Sequence, residues 1–406
     1  MLEALQSALL LQYGYNAALV AIGAGLLGVA AGSGGTFLFL RKRALVSDAV
    51  AHATLPGVGL AFIVMVTLGG DGRNLVGLLA GSAITAGLGL VIVEWITRRT
   101  RLAEDAAIGA VLSVFFGFGI VLLTVIQTMS EGKQAGLESF LLGSTAGMLF
   151  QDAIVIASGG ALSLAAVIAL RRPMTLVSFD PEYALASGLN VRAIDLTMMG
   201  LVMAVTVIGL KVVGLILIVA MLIIPPVTAR FWTNLTHRVI WIGGLIGGIS
   251  GYVGAALSAS APSIPTGPII VLVCFAIFIV SLMIAPNRGV LAAFVRRRRF
   301  QLRVHRRQGL VALAHGEPIL DQLTLTVLKR EGLIRPDGVA TNEGRAQAAR
   351  ALRDEKRWEV ARQIHNYEEI SSQYDGLTPI ETVLTQDEIS EIDRAIGGPV
   401  PAGGAA

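Results

Sequence analysis

Two side chains with metal-binding chemistry, Asp48 and His52, lie in the otherwise apolar stretch SDAVAHATLPGVGLAF at 47–62. Because they are four residues apart, they share one face of any helix that contains them. An ionisable pair in an apolar segment is costly unless a partner, a wet cavity or a cation satisfies it. Carboxylate and imidazole are both ligands for divalent transition metals. The alternative is that Asp48 caps a helix and His52 is a packed interface residue.

The ligand types also indicate what kind of metal site this could be. Carboxylate and imidazole without a thiolate bind Mn²⁺, Fe²⁺ or Zn²⁺ more weakly than a closed structural site does. Protons compete with the metal for His52, so the affinity falls as that imidazole is protonated. Such a site suits a cation that must be released again.

The composition places the pair in a membrane protein. Of 406 residues, 54% are hydrophobic and only 15% are charged, and the mean hydropathy is +0.71. Most ionisable residues follow Arg296, so a polytopic membrane domain precedes a soluble tail. The single cysteine, Cys274, can form neither an intramolecular disulfide nor a thiolate cluster.

Apolar segments long enough to cross a bilayer predict about nine transmembrane helices. They lie near 17–40, 49–68, 75–97, 105–127, 150–170, 193–210, 212–229, 239–257 and 267–285. The weakest boundary is the one between the sixth and the seventh, which could be one long, broken segment. Arginine-rich loops alternate with loops that hold few basic residues, and with the basic loops in the cytoplasm the N-terminus lies outside and the tail inside.

One of the cytoplasmic loops, SFDPEYALASGLNV at 178–191, predicts a short capped helix. Asp180 suits the N-cap and Pro181 the first turn, Glu182 favours the helix dipole, and Gly188 can end the helix in a left-handed conformation. A helix of about two turns between two spans could fit a groove on a soluble partner. It could equally be a surface helix without a partner.

Three stretches carry a resemblance to a known family: SDAVAHATLPGVGLAF, FDPEYALASGLNV and KVVGLILIVAMLIIPPVTARF. In this order and at these separations they resemble the membrane permease of zinc/manganese/iron ABC importers, over about 15–287. The resemblance implies an all-α bundle in the bacterial cytoplasmic membrane. It also implies three partners: a second permease subunit, a cytoplasmic ATPase and an extracytoplasmic metal-binding protein.

The resemblance further implies roles for particular residues. The segment with Asp180, Pro181, Glu182, Ala186 and Gly188 is similar to the coupling helix that docks on the ATPase. Asp48 and His52 match positions where the family has metal-contacting residues, so two subunits would bring two carboxylates and two imidazoles to a two-fold axis.

We therefore expect the chain to be a transport subunit and not an enzyme. It has no GxxxxGK[ST] motif, so ATP hydrolysis must come from another polypeptide. We expect no cofactor in this chain, only transported Mn²⁺, Fe²⁺ or Zn²⁺. The narrow Asp/His pair argues mildly against a bulky metal chelate as cargo.

The tail begins with RRRRF at 296–300, which reads as an anchor at lipid headgroups in preference to a nucleic-acid site. LKREGLI, the TNEGR turn, RWE and IETVLTQDEISEIDRAIG resemble metal-dependent repressors of the diphtheria-toxin-repressor type. That resemblance implies a small α+β winged-helix domain followed by a metal-binding and dimerisation region, and it favours manganese or iron as cargo.

The tail departs from that pattern at its metal ligands. Glu355 and Thr382 stand where the repressors have histidines, while Glu359 and Glu381 remain acidic. A degenerate metal site is conceivable, but a solvated helical surface without metal is the preferred reading.

The predicted domains are a permease at 1–295, a winged-helix-like cytoplasmic domain at 296–396 and a disordered end at 397–406. The predicted function is import of a divalent metal. A membrane-tethered, metal-responsive regulator is the alternative, but nine crossings are far more than an anchor requires.

Overall fold

The structure is a computed structural model of the chain. It describes residues 6–397 except 8, 13, 71, 73, 130–149, 261–264 and 364–375, and it leaves out the side chains of 152, 211–213, 215–217 and 363. The chain divides into two compact units, Met1–Ala292 and Ala293–Ala406.

The first unit is a bundle of apolar helices. Its elements are α1 (Tyr15–Leu40), α2 (Ala44–Thr67), α3 (Leu75–Arg99), α4 (Glu104–Thr128), α5 (Phe150–Phe179), the short α6 (Pro181–Ala186), α7 (Val191–Val213), α8 (Leu215–Trp232), α9 (Thr236–Ala259) and α10 (Thr266–Ile284). Over the described part of the chain, eight helices are long and apolar enough to cross a membrane, and Ile218–Trp232 within α8 is a shorter apolar stretch. The predicted polytopic helical bundle is confirmed, with about eight candidate spans in place of nine.

The doubtful boundary at 193–229 is a sharp turn at one glycine. α7 ends at Val213 and α8 begins at Leu215. Gly214 between them has φ +83°, a left-handed backbone conformation that glycine adopts without steric cost. Gly209 of α7 lies against the side chain of Ile218 of α8, so the chain folds back on itself there.

The centre of the bundle is α1, whose closest partner is α9. Gly28 and Gly32 of α1 face Gly247 and Gly243 of α9 so closely that a Cβ on Gly28 or Gly32 would collide with the opposing backbone. Small residues allow this approach of two helix backbones in a membrane. The close contact between α1 and α9 therefore requires glycine at Gly28 and Gly32.

The second unit is also helical. It contains most of α11 (Val290–His315), then α12 (Gln322–Arg330), α13 (Asn342–Gln363), a 3₁₀ turn (Ile380–Thr382) and α14 (Gln386–Gly397). Its described residues form no strand, only one isolated antiparallel bridge between Ile334 and Ala340. The predicted α+β winged-helix class is therefore not supported.

Two small cores hold the second unit together. One packs Leu310 of α11 and Leu328 of α12 against Ala348 of α13. The other surrounds Trp358 with residues of the 3₁₀ turn and α14, and the Trp358 indole N–H donates to the carbonyl of Thr378 at 3.0 Å. Each helix of this unit thus buries one apolar face against its neighbours.

Candidate functional site

The structure brings Asp48 and His52 together on α2. His52 Nε2 lies 3.4 Å from Asp48 Oδ1, with 17% of the imidazole and 40% of the carboxylate side chain exposed. α2 begins at Ala44 with Arg43 in the N-cap position, so Asp48 is inside the helix and does not cap it. The helix-cap alternative is therefore wrong.

The surroundings of His52 leave two of its polar atoms available. Its Nδ1 is buried and has no hydrogen-bond partner in the described part of the structure. Pro56 lies within α2 and has no N–H to donate to the carbonyl of His52, four residues earlier. The edge-to-face ring of Phe116 on α4, with centroids 5.0 Å apart, packs against the imidazole. The ring is thus oriented by packing.

Asp48 and His52 alone do not complete a metal coordination shell. A transition metal takes four or more ligands, and the described residues contain no group of three His, Cys, Asp or Glu side chains that could hold one. One chain therefore offers a carboxylate and an imidazole side by side, and the remaining ligands would have to come from water or another subunit.

A second polar group is the ionic cluster of Arg41, Arg43, Glu104 and Asp195, whose two arginines directly precede α2 in the sequence. Arg41 Nη2 donates to both carboxylate oxygens of Asp195 at 2.6 Å. Arg43 bridges Asp195 Oδ2 at 3.2 Å and Glu104 Oε1 at 2.8 Å. The Asp195 side chain is only 17% exposed, so these contacts are partly shielded from water.

The ionic cluster joins five helices. Arg41 follows α1 and Arg43 precedes α2, while Glu104 begins α4 and Asp195 lies in the first turns of α7. Arg41 Nη1 also donates to the carbonyl of Val177, near the end of α5, at 3.1 Å. Asp48 lies five residues after Arg43, or about 7.5 Å along the helix axis. The cluster thus fixes the beginning of α2, the helix that holds Asp48 and His52.

Sequence reasoning missed this cluster. Its members are up to 154 residues apart, so no local spacing reveals them. The only available signal was Asp195 itself, a lone carboxylate near the start of an apolar segment, which requires a partner.

The predicted short helix is present as α6. The Asp180 carboxylate accepts from the Tyr183 N–H at 2.9 Å, and Pro181 is in the first turn. Gly188 has φ +82°, and the Leu189 N–H donates to the carbonyl of Ala184 at 3.0 Å. At six residues, the helix is shorter than the two turns expected.

The surface of α6 is exposed and partly apolar. Glu182 and Ala186 are exposed, and so are the large side chains of Phe179, Tyr183 and Leu185, by 60% or more. Exposed apolar residues grouped on one short element are typical of an interaction site.

The tail residues singled out from the sequence do not converge on a metal site within the described structure. Glu355 and Glu359 are exposed on α13. Glu381 forms an ion pair with Arg357 at 3.3 Å, and Arg357 also binds Asp393 at 2.6 Å. An arginine thus occupies the place beside Glu381 that a cation would need.

A bundle of about eight membrane-crossing helices, with a carboxylate–imidazole pair on one of them, defines the class of polytopic membrane transport proteins. The sequence matches the ABC 3 transport family over residues 14–285. The chain belongs to that family. The match ends before the second unit.

Individual relatives agree with this assignment. The manganese transport system membrane protein MntC of Bacillus subtilis is 42% identical over 298 residues, which cover 73% of this chain and 67% of that protein. The zinc transport system membrane protein TroC of Treponema pallidum is 37% identical over 283 residues, 70% of this chain and 93% of that protein. Among solved structures, PsaBC from Streptococcus pneumoniae in complex with Fab superimposes with a TM-score of 0.61 at 29% identity, covering 71% of this chain and 98% of that one.

Proposed function

We propose that this chain is the permease subunit of an ATP-driven importer that moves a divalent transition metal ion into the cytoplasm. Its family membership supports the class, and relatives named for manganese and zinc transport support the cargo. Manganese is favoured because MntC, the relative that is 42% identical, is named for it. Fe²⁺ and Zn²⁺ present the same ligand preferences and belong in the test.

The observation that carries the proposal is the side-by-side placement of Asp48 and His52. Their 3.4 Å separation and partial exposure suit brief contact with a passing cation. A second permease subunit would supply a second pair across a two-fold axis, which would complete the ligand set that one chain lacks. The unpartnered Nδ1 of His52 offers a further ligand atom.

The remaining partners follow from the same proposal. A separate ATPase would hydrolyse ATP and dock on α6, through Asp180, Pro181, Glu182, Ala186 and Gly188. An extracytoplasmic binding protein would deliver the metal. The arginine-rich loops would face the cytoplasm of a bacterium, and so would the tail. The proposed domains are the permease at 1–295 and a cytoplasmic domain at 296–396. The end at 397–406, for which the sequence predicts disorder, lies outside the described residues except for Gly397.

Uptake of Mn²⁺ by proteoliposomes that contain the full chain and its ATPase tests the pathway. Asp48→Asn and His52→Ala should each reduce ATP-dependent uptake by at least tenfold while the complex still assembles. Asp105→Asn is the matched control, because Asp105 is an exposed carboxylate in the first turn of α4. Competition by Fe²⁺ and Zn²⁺ in the same assay ranks the cargoes. Unchanged uptake in the double variant Asp48→Asn/His52→Ala would overturn the assignment.

Docking on α6 is tested by a charge reversal. Glu182→Lys should weaken co-purification of the ATPase and lower transport-coupled ATP hydrolysis, since Glu182 is exposed in the first turn of α6. Asp105→Lys is the control, because it makes the same charge change at an exposed residue in the first turn of another helix, α4. Equal effects of the two substitutions, or normal coupling in Glu182→Lys, would contradict this interface.

A further inference from the structure

A cavity of about 540 Å³ lies between α5 and α9, away from Asp48 and His52. Both helices pack along α1. The lining residues are Arg171, Arg172, Thr175 and Leu176 of α5 and Thr236, His237 and Ile240 of α9. Leu176 and Ile240 belong to an apolar cluster with Phe37 of α1, so the inner wall of the cavity is apolar.

The cavity is basic, and its charges are not neutralised. None of the described residues that line it is acidic. Within the described part of the chain, the side chains of Arg171, Arg172 and His237 take part in no hydrogen bond or ion pair. By contrast, Arg41 and Arg43 at the same end of the bundle are paired with carboxylates. Two arginine side chains therefore remain free to bind an anion.

The beginning of α9 adds to the positive potential. Thr236 and His237 are its first two residues, and the N–H groups of a first helical turn have no partner within the helix. The positive end of the helix dipole lies at the same place. Arginines, a helix start and two threonine hydroxyls thus surround one side of the cavity.

The position of the cavity along the bundle matches the headgroup level of a bilayer. Trp232 ends α8 and is 41% exposed, and Trp241 lies one turn into α9 from His237 and is 51% exposed. Exposed tryptophans concentrate at membrane–water interfaces. An amphiphile at this level would meet the arginines with its head and the wall of Leu176 and Ile240 with its chains.

We propose that this cavity binds an anionic phospholipid of the bilayer, with its phosphate on Arg171 and Arg172 and its acyl chains along Leu176 and Ile240. Basic pockets between transmembrane helices are suited to such headgroups. The lipid would bridge α5 and α9, which otherwise meet through α1. This proposal does not depend on the identity of the transported ion.

The test is native mass spectrometry of the full chain released from nanodiscs that contain equal amounts of phosphatidylglycerol and phosphatidylcholine. The wild-type protein should retain phosphatidylglycerol with about thirtyfold preference, as expected for two arginines at an anionic membrane surface. Arg171→Gln/Arg172→Gln should abolish most of that preference. Arg99→Gln/Arg101→Gln is the matched control, because these two exposed arginines are not among the residues that line the cavity. This control variant should keep the preference for phosphatidylglycerol.

Three outcomes would overturn the proposal. Equal losses in the two double variants would indicate a general effect of charge, and no preference in the wild type would leave the cavity without lipid specificity. Displacement of phosphatidylglycerol by millimolar inorganic phosphate would identify an anion site and not a lipid site.

A melting temperature for Arg171→Gln/Arg172→Gln equal to that of the wild type would exclude misfolding. Were that variant to misfold, Leu176→Gln provides a second test, because it should weaken lipid retention without changing the charge.

Discussion

At the scale of single residues, the most informative contact is that between His52 and Phe116. The phenylalanine ring meets the imidazole edge to face, an arrangement that contributes about 0.5–1.5 kcal/mol between aromatic rings. His52 has no hydrogen bond at Nδ1 in the described structure to fix its ring plane. The orientation of the imidazole therefore depends on this packing contact together with the approach of Nε2 to Asp48 Oδ1 at 3.4 Å.

Phe116→Ala should accordingly reduce metal transport without unfolding the protein, because Phe116 is 41% exposed. The expected effect is a several-fold rise in the metal concentration for half-maximal uptake. Phe118→Ala is the control, since Phe118 is 50% exposed on the same helix and has no ring contact with His52 in the described residues. Equal effects of the two substitutions would mean that the contact does not orient the imidazole.

At the scale of helices, the contact between α1 and α9 can be tested with two glycines of one helix. A Cβ on Gly28 would collide with the backbone of Gly247, whereas a Cβ on Gly34 would meet nothing within 4 Å. Alanine is favoured over glycine in a helix by about 1 kcal/mol. Gly28→Ala should therefore lower the melting temperature in detergent by several degrees, and Gly34→Ala should leave it unchanged or raise it. A stable Gly28→Ala variant would show that the two helices can move apart at little cost.

The ionic cluster makes a second prediction about helix association. Asp195→Asn leaves Arg41 and Arg43 without their shared carboxylate in a partly buried site. Loss of charged hydrogen bonds at such a site costs about 3 kcal/mol. The melting temperature should fall by several degrees, whereas Arg98→Gln, which removes a half-exposed arginine and leaves Glu94 paired with Arg192 at 3.3 Å, should change it little. Similar shifts in the two variants would show that the cluster adds no more than a surface pair.

These features separate what the sequence could predict from what it could not. The spans and the caps of α6 follow from local composition and spacing, and the structure contains both. The turn at Gly214 lies within a continuous apolar stretch, so hydropathy alone could not place it. The ionic cluster depends on which helices become neighbours, a property of packing that no local pattern encodes. The winged-helix prediction placed a wing after α12. The described structure has only one bridge there, between Ile334 and Ala340, and the pairing does not extend into strands.

At the scale of the whole molecule, the second unit is stabilised by charge as well as by its small cores. The hydrogen bond from Arg357 holds the pKa of the Asp393 carboxyl below its ordinary value. A lowered pKa in the folded state contributes stability above the unfolded value of about 3.9, and that contribution is lost as the pH falls through the folded value. The link between α13 and α14 should therefore weaken in acid.

Asp393→Asn should increase hydrogen exchange in α13 and α14 of the full chain at pH 7. The difference from wild type, with both proteins measured at the same pH, should shrink progressively as the pH falls below the unfolded value of about 3.9, because Asp393 itself becomes protonated. Glu355→Gln is the control, as Glu355 is exposed on α13. A difference that persists in acid would mean that the carboxamide disturbs packing and that charge is not the cause.

The distribution of arginines among the loops predicts the direction in which the bundle crosses the membrane. Arg99 ends α3 and Arg101 lies in the loop before α4, and basic loops and helix ends of this kind remain in the cytoplasm. The turn between α2 and α3 must then lie on the opposite side. Cys274 is buried and is the only cysteine in the chain, so Cys274→Ser gives a background for placing single thiols.

In that background, Leu68→Cys should react with a membrane-impermeant maleimide added to intact cells, because Leu68 is 81% exposed at the end of α2. Thr100→Cys, in the exposed loop before α4, should react only after the membrane is opened. The reverse pattern would place the arginine-rich loops, and α6 with them, outside the cell. An ATPase could not then dock on α6, so this one measurement bears on the orientation and on the proposed coupling together.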